Sequence, residues 1–259
     1  MKKISTKKLI VIITVLSLLT AGSLFVYKIY DDKYRLRNEQ DGPFNYVATK
    51  SYKMGHLDTT TPWEFRHSNK KIYKGIDLSH HNHVLDFDAL KNVDFIYHKA
   101  TEGSTFRDLK FKTRMEQFVQ RGIYCGAYHF FTTTISAEKQ FENFASVVPK
   151  DLPLIPMLDI EKNTGRWSKR KLNIELDKWI KLCEKHYGVK PIIYSSSDFY
   201  IKYNLKQHNC NFWSGDVNFR PRVDYIIHQK KIIPVKGMAG KVDYNEAPQI
   251  PVNPKAKYK

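Results

Sequence analysis

The chain has 259 residues, with 43 Lys and Arg against 26 Asp and Glu, a formal charge of +17, and it is 42% hydrophobic and 14% aromatic. That composition excludes a disordered tail and a disulfide-stapled miniprotein, and it allows a sizeable core in one large domain. Cys125, Cys183 and Cys210 are an odd number without CxxC spacing; they read as buried thiols, with one disulfide plus a free thiol as the alternative.

In chain order, Lys2, Lys3, Lys7 and Lys8 precede Leu9–Tyr27, which is 19 residues without a charge and nearly long enough to cross a bilayer as a helix. The run is longer than a usual signal-peptide core, and Leu19-Thr20-Ala21 is a poor cleavage site. Residues 1–28 are therefore expected to be a basic cytoplasmic tip and a signal anchor, with the cytoplasmic membrane as the partner of residues 9–27. Secretion after cleavage is the alternative. Lysines before the span hold the N-terminus inside, so the rest of the chain is expected outside the cytoplasm, facing a polymer of the cell envelope. Residues 1–40 carry +5 and 41–69 are neutral, which leaves +12 on the remainder. Such a surface attracts polyanions in a salt-dependent way. Zinc-finger and RNA-binding signatures are missing, and nucleic acid is not an expected partner.

Residues 29–71 lack a sustained period and read as a stalk or linker. From residue 72 to 259, short apolar runs alternate with amphipathic stretches, as in repeated βα units on a mainly parallel sheet. Strands are predicted at Tyr73–Ser79, Asp94–Ala100, Ile123–Phe131, Leu154–Glu161, Pro191–Ser196, Asn211–Gly215, Asp224–Gln229 and Lys241–Tyr244. Helices fit at Phe87–Lys91, Leu109–Arg121, Ala137–Val147, Lys169–Tyr187 and near Asp198–Asn204. Later connections are too short for helices. Eight strands with helices after only the first five predict an α/β fold, an incomplete TIM-like barrel whose catalytic groups sit at the C-terminal strand ends.

At the end of the fourth strand, Asp159 and Glu161 lie two residues apart, so strand alternation points both the same way. Repulsion and burial should keep one protonated as a general acid. Asp77 near the end of the first strand and Asp243 near the end of the last join them if the barrel closes. Four converging carboxylates suit glycoside cleavage through an oxocarbenium-like transition state. His80, His81 and His83 raise a metal-dependent hydrolase as an alternative, but adjacent histidines on an extended segment diverge, and no H-E-x-x-H motif is present. No cofactor and no resident metal are expected. A catalytically silent glycan-binding protein using the same cleft is the other alternative.

These residues belong to an ordered set: Lys74-Gly75-Ile76-Asp77-Leu78-Ser79-His80-His81-Asn82, His98-Lys99-Ala100-Thr101-Glu102-Gly103, Gly126-Ala127-Tyr128-His129-Phe130-Phe131, Leu158-Asp159-Ile160-Glu161, Ile193-Tyr194, Phe212-Trp213, His228-Gln229 and Val242-Asp243-Tyr244-Asn245. The set resembles the family 25 glycoside hydrolases, the N,O-diacetylmuramidases or Chalaropsis-type lysozymes, over nearly all of 73–259. The resemblance implies a flattened (β/α)5(β)3 barrel that cuts the β-1,4 bond between N-acetylmuramic acid and N-acetylglucosamine in peptidoglycan. It further implies Glu161 as general acid assisted by Asp159, Asp77 and Asp243 as further cleft acids, and Tyr128, Tyr194, Trp213 and Gln229 along the sugar subsites. Peptidoglycan glycan strands are then the expected partner of a chain acting as a monomer. Ser214-Gly215-Asp216 departs from the family's usual pattern beside the leaving-group subsite.

Overall fold

A computed structural model describes residues 72–254. The expected anchor at residues 9–27 and stalk at 29–71 lie outside the described residues; among the described residues no helix is long and apolar enough to cross a membrane. The chain order is β1 (Tyr73–Leu78), β2 (His83–Val84), a 3-10 turn (Asp88–Asn92), β3 (Phe95–Glu102), β4 (Phe106–Arg107), α1 (Phe111–Gln120), β5 (Tyr124–Phe130) and α2 (Ala137–Ala145). It continues with β6 (Met157–Asp159), α3 (Lys169–Tyr187), β7 (Ile192–Ser195), α4 (Ser197–Tyr203), a second 3-10 turn (Leu205–His208), β8 (Phe212–Ser214), β9 (Ile227–Pro234), β10 (Met238–Ala239) and β11 (Lys241–Ala247).

Eight of these strands close a barrel in the order β1, β3, β5, β6, β7, β8, β9, β11, with β11 returning to β1. Neighbours from β1 round to β9 run parallel, whereas β11 is antiparallel to both β9 and β1. The last strand therefore reaches the catalytic mouth with its beginning, and Asp243 stands near its start instead of near its end. The expected Lys241–Tyr244 strand extends to Ala247 because pairing with β1 continues as far as Tyr73. β9 likewise outgrows the barrel, and the β9–β11 connection folds over so that β10 pairs with β2.

Period-2 alternation sorts the side chains into two layers. Phe95, Tyr97, Tyr128, Met157, Ile192, Trp213 and Ile227 point inward and fill the barrel. Glycines make room for the aromatics of β3: a Cβ on Gly126 would lie 2.6 Å from the Tyr97 ring, and one on Gly75 would overlap Phe95. Outward residues meet the helices. On α3 the buried stripe Leu172, Leu176, Trp179, Ile180, Cys183 and Tyr187 keeps helical spacing. Its ends are fixed by Ser168, whose side chain accepts from the Lys171 amide, and by Gly188 at φ 73°.

Two histidines in this outer layer are structural. His129 Nδ1 lies 2.7 Å from the Thr101 hydroxyl and its Nε2 3.3 Å from Gln140 Oε1, with the ring stacked on Trp179. His98 Nδ1 lies 2.8 Å from the Lys99 carbonyl, and its Nε2 accepts from Arg114. Burial pulls their pKa values down to about 3 and about 4, so both are neutral. All three cysteines are free thiols, Cys125 and Cys183 buried and Cys210 partly so, and the disulfide alternative does not form.

Candidate active site

Three strands bring the four predicted carboxylates to one mouth. Asp77 is the penultimate residue of β1 and faces Asp243 of β11 directly in register. Asp159 ends β6, and Glu161 follows one alternation later, where Ile160 still donates to the Tyr194 carbonyl and keeps the extended geometry. In the ring of eight, β11 stands diametrically opposite β6. Asp243 thus approaches from the wall across from Asp159 and Glu161.

Each acid is pushed toward its protonated form. Burial raises Asp159 well above the usual carboxylate range, helped by the charge of Glu161 and opposed by Lys99. The Asp159 side chain is only 6% exposed, and its Oδ1 has no protein partner. Glu161 stands exposed at the rim; partial burial of its carboxyl raises its pKa, while Lys162 and a hydrogen bond from Asp159 pull it back. Asp77 is raised by burial and by Asp243, and Asp243 by burial. Charge from one wall is felt on the other, since Asp243 acts on Glu161 and Glu161 on Asp77.

The four residues expected along sugar subsites are placed differently. Trp213 is fully buried; its indole packs edge-on against Tyr97 and donates to Asn245 Oδ1 (3.1 Å). It presents no face to the mouth because inward side chains of β8 lie in the filled layer beneath. Gln229 is 5% exposed with both ends of its amide engaged: Oε1 accepts from the Tyr194 hydroxyl (2.6 Å), and Nε2 donates to Asp243 Oδ1 (2.6 Å). Tyr128 is buried in the core, near enough to Asp77 and Asp159 for their charges to raise its pKa. Tyr194 alone of the four is half-buried, edge-on to Trp213.

Sequence reasoning missed two residues of this site. Asn245 is fully buried and donates to Asp77 Oδ2 (2.8 Å); its signal was period 2 from Asp243. Lys99, in phase with Tyr97 on β3, pairs with Glu102 (2.7 Å), lies over the Phe130 ring at 4.7 Å and lowers the pKa values of Asp159 and Glu161.

The histidine segment does other work. His80 packs on His81 and lies 3.3 Å from buried Asp108, which also accepts from the His80 amide (2.6 Å). Arg114 and Lys110 donate to carbonyls of the same loop. Among the described residues no group of three or more His, Cys, Asp or Glu is arranged to hold a metal. Ser214-Gly215-Asp216 also has a local reason. Asp216 accepts from the Ser197 amide, the Ser197 hydroxyl and the Ser214 hydroxyl, and a Cβ on Gly215 would lie 2.7 Å from the Tyr194 hydroxyl.

A profile of Glycosyl hydrolases family 25 matches residues 76–232, more than half of the chain. The chain belongs to this family. A family 25 glycosyl hydrolase from Bacillus anthracis superposes with a TM-score of 0.62 at 29% identity, over 68% of this chain and 88% of that one. A muramidase from Acremonium alcalophilum gives 0.58 at 26%, over 67% and 92%. Among curated proteins, the N,O-diacetylmuramidase of Arthroderma benhamiae is 29% identical over 138 residues, 49% of this chain and 59% of that protein. The uncharacterized protein YegX of Escherichia coli K12 is 33% identical over 136 residues, 49% of each. The chain spans about half the length of the curated relatives it matches. The fold, an α/β barrel of eight closed strands, is that of family 25.

Proposed function

We propose that this chain is a peptidoglycan hydrolase, a muramidase cleaving the β-1,4 bond between N-acetylmuramic acid and N-acetylglucosamine, with Glu161 as general acid and Asp159 assisting it. The observation that carries the reading is the convergence, at one mouth of a family 25 barrel, of four carboxylates whose pKa values are all raised. The relatives named as muramidases and lysozymes supply the substrate class.

Glu161, at the rim, is the acid a leaving oxygen can reach, and burial raises its pKa, which favours the protonated form a general acid needs. When it gives up that proton, the charge left on Glu161 is met by the hydrogen bond from Asp159, whose own proton is held by burial. Asp77 and Asp243 occupy the facing wall, where a carboxylate stabilises a developing oxocarbenium ion or activates water. The polymer places the activity outside the cytoplasm, in keeping with residues 9–27 as a tether and 72–259 as the catalytic unit.

Digestion of purified peptidoglycan by the full chain tests this, with borohydride reduction and mass spectrometry of the products. Reduced muramic acid ends are expected from the parent, and a loss of about a hundredfold or more from Glu161→Gln with its circular dichroism unchanged. Reduced glucosamine ends would reassign the bond. Sedimentation with the glycan without release would replace hydrolysis by binding.

A further inference from the structure

Gln229, expected along the sugar subsites, is hydrogen-bonded to an acid, and so is Asn245, which the sequence did not single out. Asn245 and Gln229 are paired across β11 and β9, and each directs its NH2 group at one carboxylate of the Asp77–Asp243 pair. Each amide is held at its oxygen by an aromatic donor, the Trp213 indole for Asn245 and the Tyr194 hydroxyl for Gln229. Flipping Asn245 would set its oxygen against a carboxylate and its NH2 against the donor-only indole, losing two hydrogen bonds, whereas flipping Gln229 would lose the bond to Asp243 while the Tyr194 hydroxyl could turn to accept. The two aromatics sit side by side, edge-on with ring centroids 5.7 Å apart, on neighbouring strands β7 and β8. A register shift between Tyr244 and Asn245 marks a bulge, a device that re-aims side chains beside active sites.

We infer that Asn245 and Gln229 are positioning residues that act through Asp77 and Asp243, with the Trp213 indole setting which end of Asn245 meets the acid and the Tyr194 hydroxyl bracing the oxygen of Gln229. The inference rests on the muramidase reading for its catalytic consequence, not for its chemistry. Asp77 faces Asp243 on β11, Asp159 and Glu161 from β6, Tyr128 on β5 and Tyr194 on β7. The three other acids disfavour its ionised form. The Asn245 amide is the neutral donor that opposes them, and it reserves Oδ2 as an acceptor, so a proton on Asp77 belongs on its other oxygen. Gln229 does the same for Oδ1 of Asp243, whose pKa it lowers against burial.

The test follows the aspartate carboxyl carbons by NMR in the full chain labelled at aspartate 13Cγ, with Asp77→Asn and Asp243→Asn to assign the signals. Asn245→Leu is expected to move the Asp77 midpoint up by about one pH unit or more, a tenfold change in its protonation constant. Tyr194→Phe, which removes one hydroxyl and is mild enough to fold, is expected to move Asp243 up by about half a unit. The acidic limb of the kcat/KM profile on peptidoglycan should shift upward with them. Folded variants whose aspartates titrate as in the parent would overturn the inference even if the chain cuts peptidoglycan. A chain that cuts nothing, yet shows both shifts, keeps the relays and loses the muramidase reading.

Discussion

Asp77, Asp159, Glu161 and Asp243 all bind protons more tightly in the folded chain than an ordinary carboxylate does. The folded state thus holds more protons than the unfolded one above about pH 4, and stability falls as pH rises through the raised pKa values. Asp77→Asn removes one such liability. Its urea midpoint, compared with the parent's, should climb between pH 4 and pH 8 while turnover is lost; parallel curves would show that Asp77 carries no such cost. His98 and His129 act in the other direction. They are neutral in the fold down to about 4 and about 3, but take up protons near pH 6.5 once unfolded, so their contribution is lost as pH falls below that point. In an Asp77→Asn/Asp243→Asn variant the acids offset this less, and a steeper loss of stability between pH 6.5 and 4 is expected in the same titration.

At the scale of elements, the strands were legible because apolar runs of the right length alternate with amphipathic stretches, and Lys169–Tyr187 was read to the residue because one apolar stripe runs up to Gly188. The short pairings β2–β10 and β3–β4 carry no periodicity and were invisible. The direction of β11 was equally hidden, since a strand's sequence is the same read in either sense of pairing; only the extension to Ala247 against Tyr73 reveals it. Spacing and strand ends anticipated the meeting of the four acids at one mouth, but the burial of Trp213 and Gln229 was not legible, because residue type does not tell whether a side chain lines a cleft or packs beneath it. The interlocking of β3 with its neighbours gives a direct check. Gly126→Ala puts a methyl group 2.6 Å from the Tyr97 ring and 2.9 Å from Leu154 Cβ, and should destabilise by about 1–3 kcal/mol in urea denaturation. A loss of under half that would mean that the barrel interior yields more easily than close packing implies.

For the molecule as a whole, a formal charge of +17 favours encounter with an anionic wall and makes it sensitive to salt. Binding of the full chain to peptidoglycan carrying anionic polymer should weaken with added salt more steeply than binding to wall stripped of that polymer; equal slopes would assign attachment to the glycan cleft alone. The antiparallel seam between β1 and β11 has a consequence of another kind. The hydrogen bond from Asn245 to Asp77 joins residues 168 positions apart, close to the whole span of the barrel, whereas Gln229 and Asp243 are 14 apart on one hairpin. Half of the acid pair is therefore assembled by local folding, and the other half waits for the two ends of the barrel to meet, the slowest kind of contact for a chain to make. On the proposed reading, the set of acids is complete only when the two ends of the barrel meet, so a half-folded chain holds Asp77 apart from Asn245 and lacks the full site.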